Sequence, residues 1–294
     1  MDLHALTQFL VVARFEHLSR AAEELRVAQP SLSRTIARLE DELGTPLFDR
    51  RGRLRLNEAG RLFRGYAERA LGELEAGRRA VAEAAGDGFG TVRLASETFL
   101  TFTAPLAAYK RAHPAAEVEL RQLAADLMAR RLRAHEVDLC VASQPVHGEG
   151  LHSEPLLDEP VWLAVPDGHP LAGRRSVALA ELAPLPFITA RPGHWNRRLL
   201  DHLFSTLGHP PRIVCESDEL AAVADLIAAG LGVGLIPAVG RRAAGRLPLA
   251  LLTVDAPTCR RTLTLHWSAT ARLSPAARLM RTTLLGWPWT AAAS

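Results

Sequence analysis

Lysine is almost missing from this chain. Of its 35 basic side chains only Lys110 is a lysine, so nearly every formal positive charge is a guanidinium. A GC-rich coding sequence explains that bias more simply than a functional choice. Aromatic residues are scarce as well, at 5% of 294 residues. No apolar run reaches the roughly 20 residues that a bilayer crossing needs. The three cysteines, Cys140, Cys215 and Cys259, are far apart and show no C-x-x-C pairing. That argues against a disulfide framework and predicts reduced thiols in a cytoplasmic protein. The first residues, MDLHALTQFLVVARFE, lack a basic leader and a small-residue cleavage site. Their Leu3, Leu6, Phe9 and Leu10 recur at helical spacing, so the segment reads as a domain helix and not as a signal peptide. Excess charge is small too. The net value is +3, and residues 1–60 hold nine arginines against nine acidic residues. Any attraction to a polyanion must therefore come from where the charges sit.

Catalytic and metal patterns are equally absent. The eleven histidines show no H-x-x-x-H and no Cys/His pairing at ligand spacing. Ser96 does not sit in a G-x-S-x-G elbow. The glycines of GLGVG at 230–234 follow a helix-like segment and precede a strand-like one. A dinucleotide cradle needs the opposite order, so these glycines read as a helix stop that permits tight packing. No enzymatic activity, cofactor or metal is expected.

What the chain does have is concentrated in residues 19–55, SRAAEELRVAQPSLSRTIARLEDELGTPLFDRRGRLR. Ser19 reads as an N-cap, and Ala21, Ala22 and Leu25 give a short helix a small apolar face. Val27 and Ala28 make a turn. Gln29 and Pro30 open a second helix, where the missing N–H of proline costs nothing. Leu32, Ile36, Leu39 and Leu43 recur at helical spacing and must face a core. The other face carries Ser31, Ser33, Arg34, Thr35 and Arg38, which can meet phosphates and base edges. A helix of this kind fits the major groove of double-stranded DNA and reads it with its N-terminal residues. Glu40, Asp41 and Glu42 are expected to point away from the DNA. Gly44 ends the helix, and Arg50, Arg51, Gly52 and Arg53 form a tight basic turn, the wing of a winged helix-turn-helix.

The order of these parts resembles, nearly position for position, the N-terminal signature of LysR-type transcriptional regulators. Within that family the opening EHLSRAAEELRVAQPSLSRTIARLE looks most like the glutamate-synthase regulator type. Glu16 and His17 stand where many members have a glycine before the N-cap. The resemblance extends along the whole chain. It implies a cytoplasmic, sequence-specific regulator that binds DNA and a small-molecule effector, assembles as a dimer of dimers, and contacts RNA polymerase where it activates.

Asn57 caps a helix predicted over 58–85, about 42 Å long. Phe63, Ala67, Ala70, Leu74, Gly77 and Val81 alternate at spacings of four and three, a heptad seam that needs a partner. The resemblance makes this the linker helix, pairing with its copy in a second subunit. The glycine-rich stretch 86–90 ends it as a hinge. The domains expected are thus 1–57 for DNA, 58–89 for the linker, and 90–294 for effector binding.

From residue 91 onward strands and helices alternate, the mark of an open α/β sheet. Strands are expected at 91–95, 117–123, 137–143, 161–165, 187–188, 212–215, after the glycines at 230–234, and at 263–267. Helices are expected at 99–113, 127–134, 197–207, 220–229 and 275–285. The resemblance implies a two-lobed fold like that of periplasmic binding proteins. Lobe I would span 90–161 and 268–294 and lobe II 162–267, with crossings near Trp162 and Trp267. Small molecules settle beyond the carboxyl ends of such strands, against helix N-termini that favour anions. Ser96 and Thr98 follow the first strand, Ser143 and Gln144 the third, and Arg191, His194 and Asn196 precede a helix. These seven are the candidate effector residues, and a small carboxylate is the expected ligand. His194 stands where members often have serine or threonine. Ala124 and Ala125 likewise replace hydroxyl residues and should make one wall less polar.

Overall fold

The computed structural model describes residues 1–50, 52–85, 90–148, 150–238 and 247–289. It divides into two compact units, Met1–Asp87 with Arg130–Glu136 and Gly88–Ala129 with Val137–Ser294.

The first unit begins with three helices, α1 (Leu3–Phe15), α2 (Leu18–Leu25) and α3 (Gln29–Leu43). Asp2 caps α1 by accepting the Ala5 N–H at 2.7 Å. Glu16 ends it in the left-handed region at φ 47°, the conformation that a glycine would adopt there without strain. The next residue, His17, caps α2, its Nδ1 accepting the Arg20 N–H at 3.4 Å. Ser19 is therefore not the cap expected from the sequence. The left-handed turn at Glu16 reverses the chain so tightly that α2 starts before it, leaving Ser19 exposed in the first turn. Pro30 does occupy the first turn of α3, and Gly44 ends that helix at φ 70°. Phe9, Val12, Ala21, Leu32, Ile36 and Leu39 are all at most 2% exposed and form the core. Phe9 packs at 5.7 Å against Phe48 and at 5.2 Å against Phe63. A two-stranded wing, β1 (Phe48–Asp49) and β2 (Arg55–Leu56), pairs antiparallel.

Helix α4 (Glu58–Ala85) starts on Asn57, whose Oδ1 accepts the Gly60 N–H at 2.8 Å. A Cβ at Gly60 would lie 2.1 Å from the Leu47 carbonyl oxygen, so only glycine lets α4 approach the wing this closely. The expected seam splits in two. Phe63 and Ala67 pack into the three-helix core. Leu74 and Val81, with Leu62 and Tyr66, form an apolar stripe that is 53 to 71% exposed. The hinge glycines at 86–88 and Phe89 lie outside the described residues.

The second unit holds an eight-stranded sheet whose two halves share one long strand, and a separate two-stranded sheet. In lobe I, β3 (Thr91–Ser96) lies between parallel β4 (Glu117–Gln122) and β5 (Leu139–Ala142). The order continues to β12 (Arg260–Ser268) and the first half of β6 (Leu151–Pro166), both antiparallel. Helices α5 (Thr103–Ala112) and α9 (Pro275–Leu285) accompany it, while α6 (Ala125–Arg133) belongs to this unit only as far as Ala129. The core gathers Leu94, Phe102, Tyr109, Leu139, Leu263, Leu265 and Met280. In lobe II the second half of β6 pairs with β10 (Gly234–Pro237) on one side and β11 (Leu249–Asp255) on the other. β7 (Ser176–Ala178) flanks β11. β8 (Pro186–Thr189) pairs with β9 (Arg212–Glu216), and its Ile188 N–H bonds the Val233 carbonyl at 2.8 Å. Helices α7 (Trp195–Ser205) and α8 (Leu220–Ala228) complete this lobe.

Two features differ from the sequence reading. Strands β7, β11 and the first half of β6 were not expected. That half of β6 contains Pro155 and Pro160, and the register shifts opposite it between Leu263 and Thr264. The outward crossing falls between Pro160 and Val161, close to Trp162, but the return lies at Cys259 and Arg260, not near Trp267. Cys259 packs in lobe II, whereas Leu263 and Leu265 already belong to the lobe I core. The GLGVG glycines do serve packing. A Cβ on Gly232 would meet the Pro186 carbonyl oxygen at 2.5 Å, and one on Gly234 would meet Ile227 at 2.7 Å.

Candidate functional sites: a nucleic-acid interface and an interlobe cleft

Burying Leu32, Ile36 and Leu39 forces the opposite face of α3 outward. Gln29, Pro30, Ser31, Arg34 and Arg38 are exposed there, and Ser33 is half-buried at the edge. The Arg34 Nε donates to the Pro30 carbonyl one turn back at 3.3 Å, and Thr35 does the same toward Ser31. Arg38 lies 3.5 Å from Asp2, an exposed pair that competes weakly with a phosphate. Glu40 turns into the wing base, where its Oε1 accepts the Leu47 and Phe48 N–H groups at 2.8 and 3.2 Å. Its Oε2 holds the Arg50 guanidinium at 2.6 Å. These two amides are left without strand partners where the chain turns from α3 into the wing, and a carboxylate satisfies both. Arg50 is thus partly neutralised, while Arg53 and Arg55 remain exposed. Arg51 lies outside the described residues.

At the carboxyl end of β3 the sequence reading chose the two hydroxyls and passed over the carboxylate between them. Ser96 is only 1% exposed, and its Oγ donates to the Thr98 carbonyl at 2.8 Å. It shapes the turn and lines neither of the two interlobe hollows described below. Glu97, 4% exposed, is the polar centre of the cleft. Its carboxylate accepts the Ser143 N–H and the Gln144 Nε2, both at 2.7 Å. The same Gln144 amide donates to the Gly193 carbonyl of lobe II at 2.9 Å. Gln144 therefore ties the two lobes together.

Across the cleft, Asn196 lines the interlobe space and is held in place by lobe II. It accepts from the Thr189 hydroxyl at 2.8 Å and donates to the Leu235 carbonyl at 2.9 Å. His194 caps α7. Burial pushes its pKa down against the opposing pull of Glu97 and Asp218, which favours the neutral ring. Arg191 is bound by Asp218 through its Nε at 2.7 Å and through its backbone N–H at 3.1 Å. A buried pair, Arg261 and Glu159, supports the floor, with Nε to Oε1 at 2.7 Å. Its guanidinium lies 4.8 Å over the Trp195 ring. Neither partner was singled out in the sequence, since they stand 102 positions apart.

The interlobe space forms two hollows. One of about 340 Å³ is walled by Glu97, Thr98, Phe99, Leu100, Trp195 and Val223, with Asp218 and Glu219 at its rim. The other, of about 780 Å³, is bounded by Ala124, Ala125, Gln144, Arg191, His194 and Arg198. Ser143 lies instead on a separate hollow in lobe I. Among the described residues no His/Cys/Asp/Glu group could hold a metal, and no helix is long and apolar enough to cross a membrane.

Residues 3–61 match the model of the bacterial regulatory helix-turn-helix protein, lysR family, and residues 85–288 match the LysR substrate binding domain. The chain is a LysR-type transcriptional regulator. It is 31% identical over 285 residues to the uncharacterized HTH-type transcriptional regulator YybE of Bacillus subtilis (strain 168), covering 96% of this chain and 97% of the relative. The transcriptional dual regulator GltC of the same organism is 29% identical over 242 residues, 81% of each chain. Among solved structures, full-length CbnR complexed with its target DNA superposes with a TM-score of 0.64 at 21% identity, covering 97% of this chain and 99% of that one. The effector binding domain of QuiR in complex with shikimate gives a TM-score of 0.59 at 22% identity, over 67% of this chain and 95% of that one. The regulators of this family bind DNA and a small-molecule effector. Their name carries no catalytic activity, which agrees with the sequence reading.

Proposed function

We propose that this regulator acts in the cytoplasm as a dimer of dimers, pairing through the exposed stripe of α4. It reads promoter DNA with Ser31, Ser33 and Arg34, while Arg38 and the wing arginines hold phosphate. A small molecule in the interlobe cleft shifts the equilibrium between two poses of the lobes by binding one better than the other. Where the regulator activates, RNA polymerase is the further partner. The observation that carries the effector reading is Gln144, one side chain on the larger hollow that joins Gly193 of lobe II to Glu97 of lobe I, a carboxylate lining both hollows.

The chemistry of the lining bears on the effector itself. The smaller hollow combines an apolar wall with Glu97, Asp218 and Glu219 and offers no guanidinium or ammonium of its own. It suits a compact apolar molecule that carries an amine or uncharged donors. The carboxylate expected from the sequence finds a counter-charge only in the larger hollow, at the exposed Arg198, because Asp218 already engages Arg191. We favour the smaller hollow, because its wall can exclude water from a ligand.

A thermal-shift screen of the full chain against amines, organic acids and neutral aromatics tests this. A ligand at about a hundred times its Kd should add roughly 2.7 kcal/mol of stability. Shifts from amines or neutral compounds that disappear in Glu97→Gln support the smaller hollow. Shifts from acids that disappear in Arg198→Ala would move the effector to the larger one.

A further inference from the structure

On one face of the lobe I sheet, β12 and β6 bring polar side chains together away from the apolar core. His266 lies opposite Ser153 in the β12–β6 register, and its Nδ1 is 2.8 Å from the Ser153 Oγ. The ring is only 3% exposed, yet its Nε2 has no hydrogen-bond partner. Neither has the buried Oγ of Ser143, at the end of β5. An unmade hydrogen bond on a buried polar atom is costly, so two on one hollow call for an explanation. Both residues border a hollow of about 340 Å³, together with Gln144, Ser153, Thr262 and Thr264. That volume falls within the range of small-molecule sites.

We propose that this hollow is a second small-molecule site, for an uncharged polyhydroxyl ligand such as a sugar or cyclitol. Hydroxyls, the Gln144 amide and two imidazoles, His147 and His266, line it, and its described lining contains no carboxylate, guanidinium or ammonium. An ion entering would give up water without a counter-charge, which is expensive. Burial pushes His266 down to about 4, so the ring is neutral at neutral pH. Each lining hydroxyl both donates and accepts, which matches the hydroxyls of a polyol. The His266 imidazole adapts in the same way. If the Ser153 hydroxyl donates to Nδ1, Nε2 carries a proton to give, and in the other tautomer Nε2 accepts. Gln144, which lines this hollow, is also the residue that ties the lobes. An occupant here therefore acts on the same closure as the cleft effector, from a separate site.

The test uses the full-length protein and titrates D-ribose, D-glucose and myo-inositol, with gluconate and glucosamine as charged counterparts. Thermal stability and the nitrogen resonances of histidines labelled with ¹⁵N are followed together. At least one neutral probe should give a saturating shift and move the His266 Nε2 signal. Ser143→Ala should weaken that response ~10-fold, about the loss of one hydrogen bond. Because His266→Phe removes the bond to Ser153 within the sheet, Ser143→Ala and the wild-type histidine spectrum carry the decision. Absence of a saturating response to every neutral probe would overturn the proposal. So would a response equal in Ser143→Ala, or one matched by the charged counterparts.

Discussion

Replacing Glu40 by alanine should loosen the wing while leaving α3 itself intact. Alanine is a better helix former than glutamate, so the cost arises where the carboxylate was. Two buried amide donors, Leu47 and Phe48, lose their acceptor, and Arg50 loses its partner. A hydrogen bond to a charged acceptor contributes about 1.5–3 kcal/mol, so two give roughly 3–6. Water entering the vacated space recovers part of this, and the net expectation is ~3 kcal/mol. Unfolding of a two-unit chain is not two-state, so amide hydrogen exchange is the better measure. The Leu47 and Phe48 amides should exchange ~100-fold faster, while amides in the middle of α3 change little. Arg50, no longer neutralised, should strengthen binding to random DNA once the wing is ordered on it. Exchange less than about fivefold faster at both amides would refute the reasoning, because the carboxylate would then not be holding the wing.

Arg34→Ala should cost about 1–3 kcal/mol with cognate DNA and blur preference at one position of each half-site, whereas Arg53→Ala should weaken cognate and random duplexes alike; quantitative binding titrations separate the two. Leu74→Arg places an unpaired charge in the exposed stripe of α4, and light scattering should show a smaller species together with loss of tight operator binding. Gln144→Ala removes the amide that joins Glu97 to Gly193, and the Ser143 and Gly193 regions should exchange amide hydrogens faster in the absence of effector. For His266 the folded pKa is depressed from 6.5 to about 4 by burial. The unfolded chain then binds more protons, so stability is full above about pH 6.5 and is lost as pH falls toward 4. The loss is ~3 kcal/mol at about 1.4 kcal/mol per unit, and a denaturation series in His266→Gln should be flatter over that window.

The parts that were legible in the sequence are those where local signals agree. Helix α3 announced itself through Pro30, the Leu32, Ile36 and Leu39 spacing and Gly44. Ser19 looked like a cap by composition alone, but the left-handed turn at Glu16 moved the cap to His17. The first half of β6 was hidden because its exposed residues and two prolines do not alternate. Its pairing with β12 spans more than a hundred residues, beyond any local pattern. The strand-end rule drew notice to Ser96 and Thr98 as hydroxyls, of which Thr98 lines the smaller hollow, but it passed over Glu97 between them, whose carboxylate accepts from the Ser143 N–H and the Gln144 amide. Partners such as Asp218 for Arg191 and Glu159 for Arg261 exist only in the folded chain, and they change what each arginine can do.

A footprint titration on the promoter beside the protein's own gene, at two salt concentrations and with random duplex as competitor, tests the central claim most directly. The account predicts two protected half-sites, at least a thousandfold preference over random DNA, a steep loss of affinity with salt, and a change in footprint length when a compound that stabilises the protein is added. A footprint no stronger than on random DNA, or one that no stabilising compound alters, would contradict it.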